Sequence, residues 1–265
     1  MTQTVLIGSS CTLGKLLSSQ RFYDYLIDES NAELLHGKQF GELILICPSL
    51  WADPISIKAD PAPMIASIHQ LMKLLAETKV ERLTYITGMD LIPEDGNDQS
   101  PLMTESDDPY LDALIQLRDF INVQFGRVLT MRTPELLGLS DGYSVLTELR
   151  LAQAEQRAPQ VHLLELHQFY PVDHLLKDMD KAWRCGMFSV LLSTPPLTVF
   201  DVAELFFSDV IDRLPLAKKT DPVGSNRTLT TSLYWHDPIN GYIMDKEEVI
   251  EAIVNDLLAA CAEEV

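Results

Sequence analysis

Apolar runs of four to six residues alternate along this chain with longer stretches in which apolar positions recur every three or four residues. The short runs Thr4–Ile7, Phe22–Ile27, Glu42–Cys47, Arg82–Thr87, Val128–Arg132, Val161–Leu166 and Ser189–Ser193 read as strands. The periodic stretches predict helices at Gly14–Ser19, Asn31–His36, Pro63–Lys79, Tyr110–Phe125, Thr147–Arg157, Asp173–Arg184 and Val199–Leu214. In Pro63–Lys79, Ile65, Ile68, Met72 and Leu75 share one face, and Met64, Leu71 and Leu74 widen it. A last helix starts at Asp245, where Glu248 three residues on makes a capping-box pattern; Val249, Ile253 and Leu257 supply its buried face. Pro93–Asp108, Thr133–Tyr143 and Lys218–Asn240 are turn-rich or irregular and read as loops. Strands alternating with helices predict an α/β fold with a mainly parallel sheet. Too few residues separate Asp28 from Glu42 to hold another strand and helix, so the sheet is expected to lack one unit.

The densest chemical signal is Gly8-Ser-Ser-Cys-Thr-Leu-Gly14, directly after the first strand. A tight turn between strand and helix, with free backbone N–H groups at the helix start, is how a dinucleotide-binding βαβ unit holds a pyrophosphate. Gly8, Ser9, Ser10, Cys11, Thr12, Leu13 and Gly14 are therefore candidate cofactor residues, the hydroxyls of Ser9, Ser10 and Thr12 being suited to phosphate oxygens. The middle glycine of such loops is replaced by Cys11, whose β-carbon limits the approach of a phosphate. Asp28, at the end of the second strand, suits an adenosine ribose and favours NAD over NADP; a solvated strand-end acid is the plainer alternative.

Bulk composition narrows the partners. The formal charge is −19, from 39 acidic against 20 basic residues, and no basic cluster offers a face to nucleic acid or to an anionic membrane. Cys11, Cys47, Cys185 and Cys261 lie far apart without a C-x-x-C pair, which reads as reduced thiols and excludes a zinc-binding pattern; no metal site is expected. No apolar run is long enough to span a bilayer, and no secretory leader opens the chain, so a cytoplasmic protein is expected. His162, His167 and His174 lack metal-ligand spacing and read as surface or cleft-edge residues.

Taken in order, several segments resemble the extended short-chain dehydrogenase/reductase family, in its nucleotide-sugar epimerase, dehydratase and reductase branch. Gly8–Gly14 stands at the family's Gly-x-x-Gly-x-x-Gly loop. Arg82-Leu-Thr-Tyr-Ile-Thr-Gly-Met-Asp-Leu-Ile-Pro93 resembles the strand carrying its catalytic Ser/Thr, with Thr87 or Gly88 in that place. Met131-Arg-Thr-Pro-Glu-Leu-Leu-Gly138 is similar to its R-x-P-x-x-x-G substrate loop, and Phe169-Tyr-Pro-Val-Asp-His174 to the segment before the helix that returns to the core. The resemblance implies a Rossmann-like, doubly wound core over residues 1–138 and 161–196, with a small C-terminal cap from 139–160 and 197–265. It implies NAD or NADP as cofactor, with Cys47 and Pro48 joining the cofactor residues. It also implies catalytic roles for Tyr110 and Thr87, and substrate contacts from Arg132, Pro134, Tyr170 and Arg227. The ligand implied is a nucleotide-sugar, in sugar-nucleotide or polysaccharide metabolism, and the assembly a homodimer through helices 63–79 and 110–125.

The chain departs from the family at the chemistry. The reaction needs a lysine one helical turn after the tyrosine to lower the phenol's pKa, and four residues after Tyr110 stands Leu114. No lysine occurs between Lys79 and Lys177. A phenol without a cationic neighbour stays near about 10, roughly three units above neutrality, which removes about 4 kcal/mol of driving force for forming the base. The expected function is an NAD(P)-binding protein with weakened or lost redox activity. An active enzyme using Thr87 with Tyr110 or Tyr85, and a ligand-free scaffold, are the alternatives.

Overall fold

The apolar strands assemble as their pattern predicts. In the computed structural model, which describes residues 3–51, 57, 59–92, 97, 100–139, 144–216, 229–231 and 241–263, six strands form one parallel sheet. They are β1 (Thr4–Ile7), β2 (Tyr25–Ile27), β3 (Gln39–Ile46), β4 (Lys79–Thr87), β5 (Val128–Arg132) and, after three short strands elsewhere, β9 (Ser189–Leu191). Their order is β2-β1-β3-β4-β5-β9, every pair parallel. Only a 3₁₀ turn, Ala32–Leu35, lies between β2 and β3, so the sheet ends at β2 and the expected shortfall of one unit is real.

Helices cover both faces. Successive side chains of a strand point to opposite sides, and Leu43, Leu45, Cys47, Leu83 and Tyr85 pack in one apolar cluster with α2 (Ala62–Ala76) and α3 (Pro109–Gln124). The alternate positions Glu42 and Thr84 meet the other layer: Arg21, just past α1 (Thr12–Gln20), bonds Glu42 at 2.7 Å, and Trp183 on α5 (Leu175–Arg184) donates to Thr84 at 2.9 Å. The core is thus doubly wound, as expected. The wide apolar coverage of α2 and α3 is used inside the unit: Ile68, Leu71, Leu75, Leu114, Leu117 and Ile121 are buried, and Val123 is the one large apolar side chain of the two helices that is strongly exposed.

The unit boundaries differ from the expected ones. The larger unit comprises Met1–Pro93, Ser100–Thr133 and Asp173–Leu191; the smaller comprises Glu94–Gln99, Pro134–Val172 and Leu192–Val265. Local strand pairing explains the shift. β6 (Glu135–Leu137), inside the expected 133–143 loop, pairs in parallel with β8 (Phe169–Pro171), and β7 (Leu166–His167) pairs antiparallel with β10 (Leu197–Thr198). Residues 134–138 and 161–172 therefore join each other and not the large sheet. Most of the expected strand Val161–Leu166 is instead a turn, with Glu165 N–H bonded to His162 and Leu163 N–H to Pro215. The smaller unit also holds α4 (Val145–Ala154), α6 (Val199–Phe206) and α7 (Lys246–Glu263). The predicted helix to Leu214 stops at Phe207 and continues as a 3₁₀ segment, Ser208–Arg213. The reciprocal bonds of Asp245 and Glu248, both 2.8 Å, confirm the predicted capping box of α7. No helix among the described residues is long and apolar enough to cross a membrane.

His167 is half-buried between two carboxylates. Its Nδ1 lies 3.1 Å from Glu135 and its Nε2 3.4 Å from Glu165, while its ring stacks on Phe169. Burial alone would lower its pKa, but the two carboxylates outweigh that and raise it from 6.5 to about 9. A raised cationic pKa stabilises the fold fully below the unfolded value and loses that contribution as pH climbs through the folded one. Chemical denaturation at several pH values should therefore show stability falling between about pH 6.5 and 9, and a flatter profile for His167→Gln. Equal slopes for both proteins would refute the charged pairing.

Candidate functional site

Parallel register brings one end of every core strand to a common edge. Ile7 is opposite Ile27 and Leu45, Ile46 opposite Ile86, and Thr87 opposite Arg132, so Gly8, Asp28, Cys47, Thr87 and Arg132 all sit at or just past the carboxyl ends. Ligands of open α/β sheets bind at this edge.

The Gly8–Gly14 loop is drawn tight by its own contacts. Gly8 has φ +91°, a left-handed conformation that favours glycine, and a β-carbon there would come within 2.5 Å of the Trp51 indole nitrogen. A β-carbon on Gly14 would stand 2.0 Å from the Gly8 carbonyl oxygen, so this glycine lets α1 start against the end of β1. Gly8 and Ser9 N–H groups both bond the Ile27 carbonyl, at 2.9 and 3.1 Å. Cys11 is the N-cap of α1. Its thiol donates to Gly8 O at 3.0 Å and accepts from Gly14 N–H at 3.3 Å, so the sulfur is turned into the loop. Burial raises the Cys11 pKa, with the Gly14 and Leu13 N–H groups partly offsetting it. Helix geometry leaves the Thr12 and Leu13 N–H groups without carbonyl partners inside the helix. The loop thus retains the positive end that a phosphate needs.

Beside it lie two cavities. One of about 460 Å³ is lined by Gly8, Ser10, Cys11, Asp28, Glu29, Ser30, Trp51 and Met64. The other, about 250 Å³, has apolar walls including Ile7, Ile27, Leu71 and Leu74. Asp28, Glu29 and Trp51 line both. Ser30 donates its N–H and hydroxyl to one Asp28 oxygen, at 2.8 and 2.6 Å, and Asn31 holds the Asp28 N–H at 2.9 Å, so the carboxylate is fixed at the cavity mouth. Glu29 is tied to α2 by the Ser67 hydroxyl at 2.7 Å. These residues fit the adenosine and phosphate portion of a dinucleotide. Trp51 and Glu29 were absent from the sequence-derived set; a tryptophan four residues past Cys47, on the cofactor side, was the available signal.

Further along the edge is a neutral hydrogen-bonded cluster. Tyr85 and Ser49 hydroxyls each donate to the Cys47 sulfur at 3.1 Å, and Thr87 hydrogen-bonds within the same group. Tyr110 starts α3, where Asp108 accepts its N–H at 2.8 Å, and its phenol reaches Ser49. Burial pushes the Tyr110 phenol well above its ordinary value; Cys47 and Asp90 add to the rise, and the Ser49 hydrogen bond offsets part of it. No lysine or arginine contributes to that shift. Burial also raises Tyr85 and Cys47. Leu114, one helical turn after Tyr110, is buried in the apolar cluster below. Tyr110 and Thr87 are therefore brought together around Cys47 and Ser49, and Pro48 follows Cys47 into a 3₁₀ turn, Pro48–Leu50.

The candidate substrate residues fall in different units. Arg132, in the larger unit, is buried and donates to Ser189 at 2.5 Å. Pro134 and Tyr170 belong to the smaller unit, with Tyr170 fully buried. Arg227 lies outside the described residues. No group of three or more His, Cys, Asp or Glu able to hold a metal occurs among the described residues.

Sheet order, glycine turn and edge chemistry together define a Rossmann-type α/β protein. Solved structures share this fold over most of their length. A dTDP-4-dehydrorhamnose reductase ortholog from Clostridium acetobutylicum superposes with a TM-score of 0.68 at 10% identity, over 96% of this chain and 98% of that one. A dTDP-4-dehydrorhamnose reductase from Bacillus anthracis, in complex with NADP, gives 0.61 at 16% identity over 86% and 90%. The Bordetella bronchiseptica enzyme WbmG, in complex with NAD and UDP, gives 0.63 at 14% over 86% and 84%. No family model matches the sequence, and no curated protein matches it.

The buried cluster makes a chemical prediction. With native protein at pH 8, a thiol reagent followed by peptide mass mapping should label exposed Cys185 quickly, half-buried Cys11 slowly, and Cys47 only after unfolding. Rapid native labelling of Cys47 would show that Tyr85 and Ser49 do not enclose it.

Proposed function

We propose that this chain binds NAD(P) and a nucleotide-sugar, and that its hydride-transfer chemistry is weakened or lost. The observation that carries the second half is the surroundings of Tyr110. A phenol works as base or acid in this fold when a nearby cation brings its pKa toward neutrality. Here its neighbours are a thiol, a hydroxyl and two carboxylates, and every large influence on it except Ser49 raises the pKa. Tyr85 offers no relief as a substitute acid/base, because its hydroxyl is already committed to Cys47 in the core.

The first half is supported by the glycine turn and the cavities beside it, and by relatives of the same fold solved with NAD, NADP and UDP. Asp28 and Glu29 line both cavities, with Glu33 on the wall of the apolar one. Three carboxylates repel a 2′-phosphate and accept from a free ribose diol, which favours NAD over NADP. A nucleotide-sugar role connects the chain to sugar-nucleotide or polysaccharide metabolism, in keeping with those relatives. A homodimer through α2 and α3 stays part of this reading: Met64, Ile65, Met72, Leu74, Leu111 and Phe120 on the two helices are only partly buried within the unit.

Thermal-shift titration with NAD, NADP and UDP- or dTDP-sugars tests binding, and a turnover panel with the same sugars tests chemistry. NAD at a hundredfold excess over its dissociation constant should stabilise the fold by about 2.7 kcal/mol, more than NADP at equal concentration. No sugar should be turned over. Turnover abolished by Tyr110→Phe would establish an active enzyme, and no shift with any ligand would establish a scaffold.

A further inference from the structure

Asp90 lies three residues beyond Thr87, in the turn that leaves β4. A β-carbon on Gly88 would stand 2.9 Å from its carboxylate oxygen, so the side chain folds back over the end of the strand. Asp90 is half-buried there, and no ion pair engages it among the described residues. Both neighbouring phenols register its charge, since Asp90 adds to the rise of Tyr110 and of Tyr85.

The cations of this edge are directed elsewhere. Arg132, at the end of β5, is buried and donates to Ser189 on β9. Arg118, two turns along α3 from Tyr110, is buried against the Met103 carbonyl and the Asp119 carboxylate. One turn after Tyr110 stands Leu114, and Asp108, the N-cap of α3, adds a second carboxylate on the Tyr110 side. The cluster of Cys47, Ser49, Tyr85 and Thr87 is neutral, so the field at the end of β4 is negative.

A dinucleotide bound as read above meets this field at its far end. With phosphate at the start of α1 and adenosine toward β2, its second nucleoside extends the other way, across β3 to β4. Those strand ends are two spacings, about 10 Å, from β1. The nicotinamide ring is cationic when oxidised and neutral when reduced. A carboxylate beside it therefore separates the two states by charge alone.

We propose that Asp90 makes this chain selective for the oxidised dinucleotide, its carboxylate facing the cationic nicotinamide at the end of β4. The inference rests on the cofactor reading above and adds to it a preference between redox states and the residue that sets it. By linkage, reduction of the bound dinucleotide becomes less favourable by the same factor.

Isothermal titration of the full chain, Asp90→Asn and Asp90→Glu with NAD⁺, NADH and ADP-ribose tests this. The parent should bind NAD⁺ about tenfold more tightly than NADH, the scale of one charge pair in a partly exposed cleft. Asparagine keeps the shape and deletes the charge, so NAD⁺ should weaken by that factor while NADH and ADP-ribose hold. The two redox states should then bind alike, and glutamate should restore most of the preference. Equal affinity of the parent for NAD⁺ and NADH, a measurement that needs no variant, would overturn the proposal and leave cofactor binding intact. Equal losses of both in Asp90→Asn would do the same, because the side chain would then act by packing. A parent that binds ADP-ribose but neither dinucleotide also overturns it, whereas one that binds none of the three removes the cofactor reading itself.

Discussion

Helix α1 can begin only where Gly14 lets it touch the carbonyl of Gly8. That contact leaves no room for a side chain at position 14, and it fixes the distance between the end of β1 and the first turn of the helix. The other features of the edge depend on it. Cys11 can cap α1 with its sulfur because the loop is closed this tightly, and Gly8, held in a left-handed conformation, can accept the Trp51 ring on its open side. Both glycines are therefore required by packing before any ligand is considered. A glycine turn of this kind proves a strand–helix junction; the neighbouring cavities and their carboxylates are what make it a reason to expect a nucleotide.

Much of the larger unit was legible because its information is local. Val128–Arg132 matches β5 residue for residue, and β1 likewise, since apolar runs bounded by turn residues specify a parallel strand almost alone. β2 was over-extended: Phe22 is largely exposed and only Tyr25–Ile27 pairs with β1. Hydrophobicity was read there as burial, and edge residues break that equation. The smaller unit was harder to read. Its strands are two or three residues long, and each depends on a partner far away in sequence, as Glu135–Leu137 does on Phe169–Pro171. No periodicity accumulates over so short a run.

The site divides in the same way. Tyr110, Thr87 and Leu114 were singled out by their spacing along the chain. The environment that decides their chemistry comes from register. Cys47 lies one residue past the Ile46–Ile86 pair, and Thr87 one residue past it on the next strand, which sets both on the side where Tyr85 already points. That convergence is a property of two strands aligned, and neither strand states it. The charge pairing of His167 was out of reach for the same reason: Glu165 is near in sequence, but Glu135 arrives from another strand.

The two ends of the sheet edge have diverged chemically. At the Gly8 end, the start of α1 and the fixed Asp28 carboxylate border an open cavity. At the Cys47 end, hydroxyls and a thiol satisfy one another, and burial holds the whole group neutral. The proposed loss of hydride transfer follows from this: that chemistry needs a group able to give up or take a proton near neutrality, and burial raises Tyr85, Cys47 and Tyr110 away from it. Binding needs only the first end. Under the function proposed above, affinity at the first end does not require proton transfer at the second, because no residue at one end supplies the electrostatics of the other.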